Sequence, residues 1–583
     1  MKFMWKYSPS RDNLILLLLI AIVIGLVTGI LAIGFRYLLL LTTGLFWPDP
    51  QAMLEVNQQY PWYLVVAVPV FGGLLIGPLI CRFSPESRGA GVPEVIEAVV
   101  TRGGAIRHTT ALFKTLFTAL SIGCGASVGR EGPVVHIGSS VGSSLAQWIK
   151  LPVEWKRVFL ACGAAAGIAA TFNAPMAGML FAAEIILVDF QVRYLSHIAI
   201  SAVTATVVSH KFLGSFPTFQ IPSYELVSYA ELPLYGLLGL LAGLLSVLFI
   251  RSVSAAEDLF TRVGVPFQFR PAIAGLMLGL MALGWPHILG VGYETINQAL
   301  TAKMGIALMA VVLLLKLVAT AGSVGAGFSG GIFAPSLVLG SLLGGVFGAS
   351  AGRIFPGEMG TAAAYSLIGM GAVVAGTTLA PITAIFTIFE LTYNFEIILP
   401  LMTCCIISLV TVQKIYGYSI YETKLLRKGV RMVRGRDVNL LRTMKVGDYM
   451  ATDFETVRQD MVLGEILEKS EKSHYPHFPV VDSEGRLVGM LSMSDLRSFL
   501  AQLGDLSNLV VASEIMTKRV IIVRPDDHFE TAFEIFEGKQ ISTLPVVARN
   551  GNLVGILKKS DLLLAYNQTI LKINVLDKIG GKK

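Results

Sequence analysis

Charged residues are scarce in this sequence of 583 residues. Asp, Glu, Lys and Arg together make up 15% of the chain, whereas hydrophobic residues make up 54%. Soluble domains usually carry about 25% charged residues. The composition therefore excludes an ordinary soluble protein and predicts an all-α polytopic membrane protein with several spans.

Cysteine is also rare, and its placement excludes two kinds of site. The five cysteines have no metal-ligand spacing and no disulfide framework, so we expect them to be small packing residues. His474 and His477 are close in sequence, but no further ligand pattern accompanies them, and we expect no metal there. The sequence also has no HExxH motif and no P-loop, so we do not expect an enzyme.

The charges that are present gather late in the chain. Roughly the first 420 residues are apolar with isolated charges, and the rest resembles a soluble protein. We predict a membrane domain over 1–425 with repeats at about 13–215 and 230–420, and a basic linker over 426–445. After the linker we predict an α/β module, with one unit over 446–503 and a second over 512–567. A tail over 568–583 ends the prediction. Basic residues beside spans predict a multi-pass protein of the cell inner (plasma) membrane with both termini cytoplasmic, and we do not interpret them as a nucleic-acid site.

One stretch places two charges inside an apolar run: Arg130 and Glu131, between Gly129 and Gly132-Pro133. A charge at membrane depth is costly and usually faces a cavity or pathway. The glycines and the proline predict that the backbone breaks here and restarts as a helix. A carboxylate beside a helix N-terminus would compete with an anion, because free N–H groups and the helix dipole favour negative charge there.

An internal repeat surrounds this stretch. Lys114 precedes Pro133 by 19 residues, and Lys316 precedes Pro335 by the same number. Gly138 and Gly142 follow Pro133 at the same spacing as Gly340 and Gly344 follow Pro335. Further on, Ala174-Pro175 leads to Glu184 at the same distance as Ala380-Pro381 leads to Glu390. If each half holds an odd number of spans, the halves are inverted and meet at a central site.

Two further breaks resemble the first. Residues 325–335 contain four glycines before Pro335, and residues 89–93 read Gly-Ala-Gly-Val-Pro. We expect the N–H groups of Ile332 and Phe333 to point at the same centre as those around Glu131. Three helix N-termini would bind an anion without a full positive charge, which keeps binding weak enough for release.

A second, tandem repeat follows from about Val446, with a constant offset of 66 residues. Residues 478–481 match 544–547, and residues 487–489 match 553–555. Each unit is predicted to run strand, helix, strand, strand, helix.

Together these motifs resemble the CLC family of chloride channels and proton/chloride exchangers, followed by two CBS domains. Residues 89–93, 129–133 and 331–335 are similar to the family's three selectivity-filter motifs, and residues 419–421 to its pore-tyrosine segment. The resemblance implies a homodimer in membrane lipid, with one pore per subunit, that transports chloride or other small anions under voltage or pH control. It implies a gate at Glu131 and anion-binding residues at Ala90, Gly91, Arg130, Gly132, Ile332, Phe333 and Tyr421.

Two positions depart from the family pattern. Ala90 stands where a serine is common, so backbone groups must contribute more to anion binding. Ile185 stands where family exchangers often carry a second acid, and isoleucine cannot carry a proton. This favours a channel. An exchanger with an altered proton pathway is the alternative, and protons would then be a second substrate.

Several residues have competing interpretations. Glu131 and Glu184 form a possible proton pathway, although Glu184 fits a helix-end acid bonded to backbone N–H groups better. Lys114 and Lys316 either shape the field of the pore or extend to the membrane interface. Tyr421 is either a pore residue or an interface aromatic.

The CBS pair offers one candidate ligand site. Ser492 and Asp495 fit the hydroxyl-x-x-Asp pattern that the family uses for the ribose of an adenine nucleotide, whereas Lys558 replaces the hydroxyl before Asp561. The alternative is a purely structural module.

Two remote alternatives for the whole protein are an intramembrane enzyme using Glu131 and Glu184, and a metal-cation transporter regulated by its CBS pair. The cation transporter would need acids on several spans.

Overall fold

A computed structural model describes most of the chain. The described residues are 11–47, 54–214, 219, 231–356, 360–430, 444–473, 476–497, 507, 509–539, 541–562, 564 and 565. The chain divides into two compact units, Met1–Met432 and Val433–Lys583. His474, the tail 568–583 and residues 431–443 of the predicted linker lie outside the described residues.

The first unit is helical throughout its described part. Its helices in chain order are α1 Arg11–Phe46, α2 Val56–Gln59, α3 Trp62–Phe83, α4 Val92–Thr101, α5 His108–Gly123, α6 Glu131–Trp148, α7 Val153–Phe172, α8 Pro175–Phe181, α9 Val192–Leu213, α10 Leu232–Arg262, α11 Arg270–Ala282, α12 Tyr293–Leu300, α13 Ile306–Ala326, α14 Phe333–Ile354, α15 Ala362–Thr378, α16 Pro381–Thr392, α17 Ile398–Ile415 and α18 Ile420–Arg427.

Seven helices of the described chain are long and apolar enough to cross a membrane. They leave large apolar side chains on the outside, for example Leu41 at 61%, Val207 at 62% and Leu314 at 61% exposure. Exposed apolar surface on this scale requires a non-aqueous surrounding. The protein is therefore a multi-pass membrane protein, as the composition predicts.

Three helices begin where the positions of glycine and proline in the sequence predict. Helix α4 begins at Val92, α6 at Glu131 and α14 at Phe333. Gly91 precedes α4 with φ +87°, a left-handed conformation that glycine adopts without strain. Proline in the first turn does not interrupt a helix, because the N–H groups there have no intrahelical acceptor.

Close helix packing explains the repeated glycines. A Cβ on Gly138 of α6 would lie 2.0 Å from the carbonyl oxygen of Gly163 on α7. In the second half, a Cβ on Gly340 of α14 would lie 2.3 Å from the carbonyl oxygen of Gly369 on α15. The predicted repeat is therefore present in the packing as well as in the spacing.

The two halves run in opposite senses from a shared centre. The segments preceding α6 and α14 pair through Gly129 and Gly331, whereas the bodies of the two helices pack on α7 and α15. Counterpart helices that touch at their starts and then diverge are expected for inverted repeats.

The described residues of the second unit form two small sheets. Its strands are β1 Val457–Arg458, β2 His477–Val481, β3 Leu487–Ser492, β4 Thr543–Val547 and β5 Leu553–Lys558. Strand β1 pairs parallel with β2, which pairs antiparallel with β3, and β4 pairs antiparallel with β5. The helices in the described part of this unit are Leu463–Lys472, Met493–Arg497, Ala512–Ile515 and Phe529–Lys539. In the second repeat the first strand is reduced to a parallel bridge between Val523 and Val546.

The two repeats of this unit contact each other reciprocally. The Leu487 N–H donates to the Gly551 carbonyl at 3.4 Å, and the Leu553 N–H donates to the Gly485 carbonyl at 3.3 Å. These contacts are related by the 66-residue offset, so an approximate two-fold axis relates the repeats.

Candidate functional site

The three Gly-rich breaks of the membrane unit meet at one centre. The Gly129 N–H donates to the Gly331 carbonyl at 2.7 Å, and the Gly331 N–H donates back to Gly129 at 2.6 Å. The Gly330 N–H donates to the Gly89 carbonyl at 3.2 Å. Segments far apart in sequence are thereby held together directly before α4, α6 and α14.

No side chain fits between these segments. A Cβ on Gly132 would lie 1.8 Å from the carbonyl oxygen of Ala90. Ala90 itself is buried, at 2% exposure. The structure therefore brings the predicted residues Ala90, Gly91 and Gly132 together, and the close backbone approach explains the glycine at 132.

Glu131, the first residue of α6, is buried at 1% exposure. Its Oε2 atom accepts the backbone N–H of Ala334 at 3.3 Å, in the first turn of α14. Its Oε1 atom accepts the hydroxyl of Tyr293 at 2.6 Å. The carboxylate thus occupies a helix N-terminus, where free N–H groups and the dipole favour any anion.

Ile332 and Phe333 lie directly before Ala334. Ile332 is the N-cap of α14 and Phe333 its first residue, so their N–H groups belong to the turn that lacks intrahelical acceptors. Both side chains are buried.

Tyr421 supplies a buried hydroxyl. It lies in the first turn of α18, which is fixed by a capping box between Ser419 and Glu422. Tyr421 is 1% exposed, and within the described part of the chain its hydroxyl has no hydrogen-bond partner. A buried donor without a partner is costly, and this burial does not fit an interface aromatic.

The sequence reasoning missed Tyr293, whose hydroxyl contacts Glu131. Tyr293 begins α12 directly after Gly292, which has φ +89°. A signal was available: Gly290-Val291-Gly292 repeats the pattern Gly89-Ala90-Gly91 at the repeat offset of roughly 200 residues. The repeat therefore predicts a fourth break, with Tyr293 at its helix start.

Arg130 packs against this tyrosine. Its guanidinium carbon lies 4.8 Å from the centroid of the Tyr293 ring. Both residues line a cavity of about 240 Å³ together with Arg36 and Glu294. A second cavity, of about 140 Å³, is lined by Ala90 and Ile332 and by four basic side chains, Arg88, Arg270, Lys424 and Arg427, with Glu257. Predominantly basic cavities raise the local concentration of anions.

Lys114 and Lys316 are fully buried, so of the two alternatives the one in which they extend to the membrane interface is wrong. The Lys114 ammonium donates to the carbonyls of Ser87 at 3.0 Å and Gly89 at 2.6 Å. The Lys316 ammonium donates to the carbonyls of Ile288 at 2.9 Å and Gly290 at 3.0 Å. Each lysine therefore fixes the backbone just before a helix start of its own half.

Glu184 caps a helix of the opposite half. Its carboxylate accepts the N–H of Ile382 at 3.2 Å and the N–H and hydroxyl of Thr383 at 2.7 Å each. Its neighbour Ile185 is buried at 5% exposure. This geometry is that of the helix-end acid, and participation of Glu184 in a proton pathway stays a prediction.

In the second unit, Ser492 and Asp495 bond to each other. The Ser492 hydroxyl donates to Asp495 Oδ2 at 2.7 Å, and the Ser492 N–H donates to the same oxygen at 2.9 Å. The corresponding Asp561 accepts the hydroxyl of Ser560 at 3.1 Å. The hydroxyl-x-x-Asp arrangement is thus formed at the end of β3, whereas its counterpart after β5 has Lys558 in place of the hydroxyl.

Known proteins share this architecture. The family of voltage-gated chloride channels matches residues 72–413, and the CBS domain family matches residues 446–502 and 512–568. A putative chloride channel protein ClcB-like of Ralstonia nicotianae is 34% identical over 418 residues, covering 70% of this chain and 97% of the relative. The H(+)/Cl(−) exchange transporter ClcA of Yersinia pseudotuberculosis is 31% identical over 441 residues, covering 73% and 91%.

A solved structure agrees with this relationship. The slow cyanobacterial Cl−/H+ antiporter superposes with a TM-score of 0.64 at 27% identity, covering 71% of this chain and 97% of that one. The matched family covers more than half of the sequence, and the three Gly-rich breaks lie inside it. This chain therefore belongs to the CLC family of voltage-gated chloride channels and carries two CBS domains after its membrane unit.

Proposed function

We propose that this protein transports chloride or another small anion across the membrane, through the centre where α4, α6 and α14 begin. The observation that supports it is the Glu131 carboxylate bonded to the Ala334 N–H at the start of α14. A negatively charged group there occupies the position that a transported anion needs. Glu131 is therefore the gate, and the protein is a transport protein and not an enzyme.

Protonation of Glu131 opens this gate. The neutral carboxyl loses most of its attraction to the helix N-terminus, because the dipole and the free N–H groups favour a charged group. An anion then takes the site, held by the N–H groups of Ile332 and Phe333 and by the Tyr421 hydroxyl. These groups are dipoles, and dipoles hold an anion weakly enough to let it leave.

Two coupling modes are candidates, and a different observation favours each. The buried Ile185, which cannot carry a proton, favours passive conduction through a channel. The names of the relatives favour exchange, since the Yersinia relative is an H(+)/Cl(−) exchange transporter and the cyanobacterial structure is an antiporter. In an exchanger, Glu131 would pass its proton inward by a path that does not use Ile185.

The setting of this site is part of the proposal. We place the protein in the cell plasma membrane with both termini in the cytoplasm, since basic residues flank the spans on that side. The apolar helix faces contact membrane lipid, and two identical subunits form a dimer with one pore each. The CBS pair binds an adenine nucleotide at Ser492 and Asp495. The alternative interpretation is that the two CBS domains form a structural module without a ligand.

Liposomes that contain the purified protein test the proposal. Chloride efflux and external pH are recorded together for the wild type and for Glu131→Gln, with Glu396→Gln at an exposed residue as the control. We expect chloride efflux that rises as pH falls in the wild type and the control, and efflux independent of pH in Glu131→Gln.

The proton signal separates the two coupling modes. Efflux without linked proton movement supports the channel. Proton movement driven uphill by a chloride gradient contradicts the channel and supports exchange. A folded preparation without any anion flux contradicts the transport proposal itself.

A further inference from the structure

The two oxygens of the gate carboxylate have donors of different kinds. Oε2 is bonded to a backbone N–H, that of Ala334, and Oε1 to a side chain, the Tyr293 hydroxyl at 2.6 Å. The backbone donor is fixed by α14, whereas the strength of the second bond depends on one side chain. Resting on the proposed function, we propose that Tyr293 is a positioning residue that holds Glu131 in the anion site and sets the pH at which anions pass.

The Tyr293 ring is held independently of Glu131. The Arg130 guanidinium lies over the ring at 4.8 Å, and the ring of Phe219 meets it edge-on at 5.5 Å. The backbone before it is fixed as well, because Lys316 donates to the Gly290 carbonyl at 3.0 Å. A donor whose position is set by its surroundings can select one orientation of the carboxylate.

The bond links the position of the gate to its charge. A phenol hydroxyl donates more strongly to a carboxylate than to a neutral carboxyl, because hydrogen bonds to ionised acceptors are the stronger ones. Tyr293 therefore stabilises the ionised, closed gate, and its hydrogen bond to Glu131 weakens once Glu131 is protonated.

Tyr293 also lies between the gate and a cavity. It lines the cavity of about 240 Å³ that Arg130 and Arg36 share, and its hydroxyl donates to Glu131. The charged and titratable groups around the pair are Arg36 on α1, Arg130 at the start of α6, Glu294 on α12, Lys316 on α13 and Tyr421 on α18.

The test removes the hydroxyl and keeps the ring. Tyr293→Phe is compared with Tyr235→Phe, a matched control whose buried hydroxyl donates to another carboxylate, that of Glu231, at 3.2 Å. Loss of one hydrogen bond to a charged group corresponds to about a tenfold change in proton concentration. We expect the pH of half-maximal chloride efflux to rise by about one unit in Tyr293→Phe and to stay unchanged in Tyr235→Phe.

A second variant preserves the shape of the side chain. Fluorinated tyrosine incorporated at Tyr293 is a stronger donor, and we expect it to lower the pH of half-maximal efflux. An unchanged pH profile in both Tyr293 variants, or an equal upward shift in Tyr235→Phe, overturns the proposal. So does a difference in chloride efflux between Glu131→Gln and the double variant Glu131→Gln/Tyr293→Phe, because the effect must act through the carboxylate.

Calorimetric titration of chloride into the purified protein at pH 7.5 separates this proposal from the transport proposal. A weaker hold on Glu131 makes it a weaker competitor, so we expect chloride to bind several-fold more tightly to Tyr293→Phe than to the wild type. The difference should vanish in the Glu131→Gln background. Tighter binding without any flux would support the role of Tyr293 while contradicting transport, and equal binding would contradict the role of Tyr293 whatever the flux.

Discussion

Glu184 and Glu390 each cap a helix in the opposite half of the membrane unit. Glu184 accepts N–H groups at the start of α16, the helix that contains Glu390. Glu390 accepts the N–H groups of Met176 at 2.9 Å and Ala177 at 2.7 Å, at the start of α8, which leads into Glu184. The contact is reciprocal, as expected for elements related by an approximate two-fold axis.

Replacing one of these carboxylates weakens the contact between the halves. In Glu390→Gln, an amide NH₂ faces a backbone N–H that had an acceptor, so we expect a loss of about 1–3 kcal/mol of stability. Thermal unfolding of the detergent-solubilised protein measures it, with the exposed Glu396→Gln as the control. Equal unfolding temperatures in the two variants would contradict a bracing role.

Glu184→Gln distinguishes a helix cap from a proton relay. For a cap, we expect stability to fall about as much as in Glu390→Gln, while the ratio of protons to chloride moved per folded protein is unchanged. Simultaneous recording of proton and chloride flux checks this. A variant of normal stability with reduced proton movement would instead assign Glu184 to the proton pathway.

Helix contact at Gly138 leaves no room for a methyl group. Gly138→Ala puts a Cβ 2.0 Å from the Gly163 carbonyl, so α6 and α7 must separate, at a cost of about 1–3 kcal/mol or more. Gly352→Ala is the matched control, since a Cβ there meets no atom within 4 Å, and alanine favours the helix. We expect a lower unfolding temperature for Gly138→Ala only; the same loss in both variants would argue against the packing explanation.

Tyr421 offers a direct test of the anion site. If its hydroxyl donates to the anion, Tyr421→Phe should weaken chloride binding about tenfold, the effect of one hydrogen bond to a charged acceptor. Calorimetry in the Glu131→Gln background measures it without competition from the carboxylate. Tyr418→Phe is the control, because Tyr418 is 43% exposed. Unchanged affinity in Tyr421→Phe would remove this hydroxyl from the site.

The CBS repeats predict unequal nucleotide sites. We expect Asp495→Ala to weaken binding of an adenine nucleotide to the full-length protein by tenfold or more, because charged hydrogen bonds to the ribose are lost. Asp561→Ala should change it little, since Lys558 stands where the hydroxyl is needed. Fluorescence titration with a labelled adenine nucleotide compares them. No binding to the wild type would favour a structural module.

The sequence by itself determined the features that depend on local chemistry and on spacing. The starts of α4, α6 and α14 follow from glycine and proline, which act on the backbone within a few residues. Both repeats follow from fixed spacings, and burial of Glu131 follows from the apolar run around it.

Only the tertiary structure decided which side chains meet. The partners of Glu131 lie 162 and 203 residues away in sequence, at Tyr293 and Ala334. Lys114 and Lys316 have long charged side chains of the kind that often extend to the membrane interface, yet they bind backbone carbonyls in the interior. Glu184 belongs to the first half of the membrane unit, whereas the helix that it caps, α16, belongs to the second. Such contacts depend on how the helices pack in three dimensions, and the spacing of residues along one helix carries no record of the partner helix.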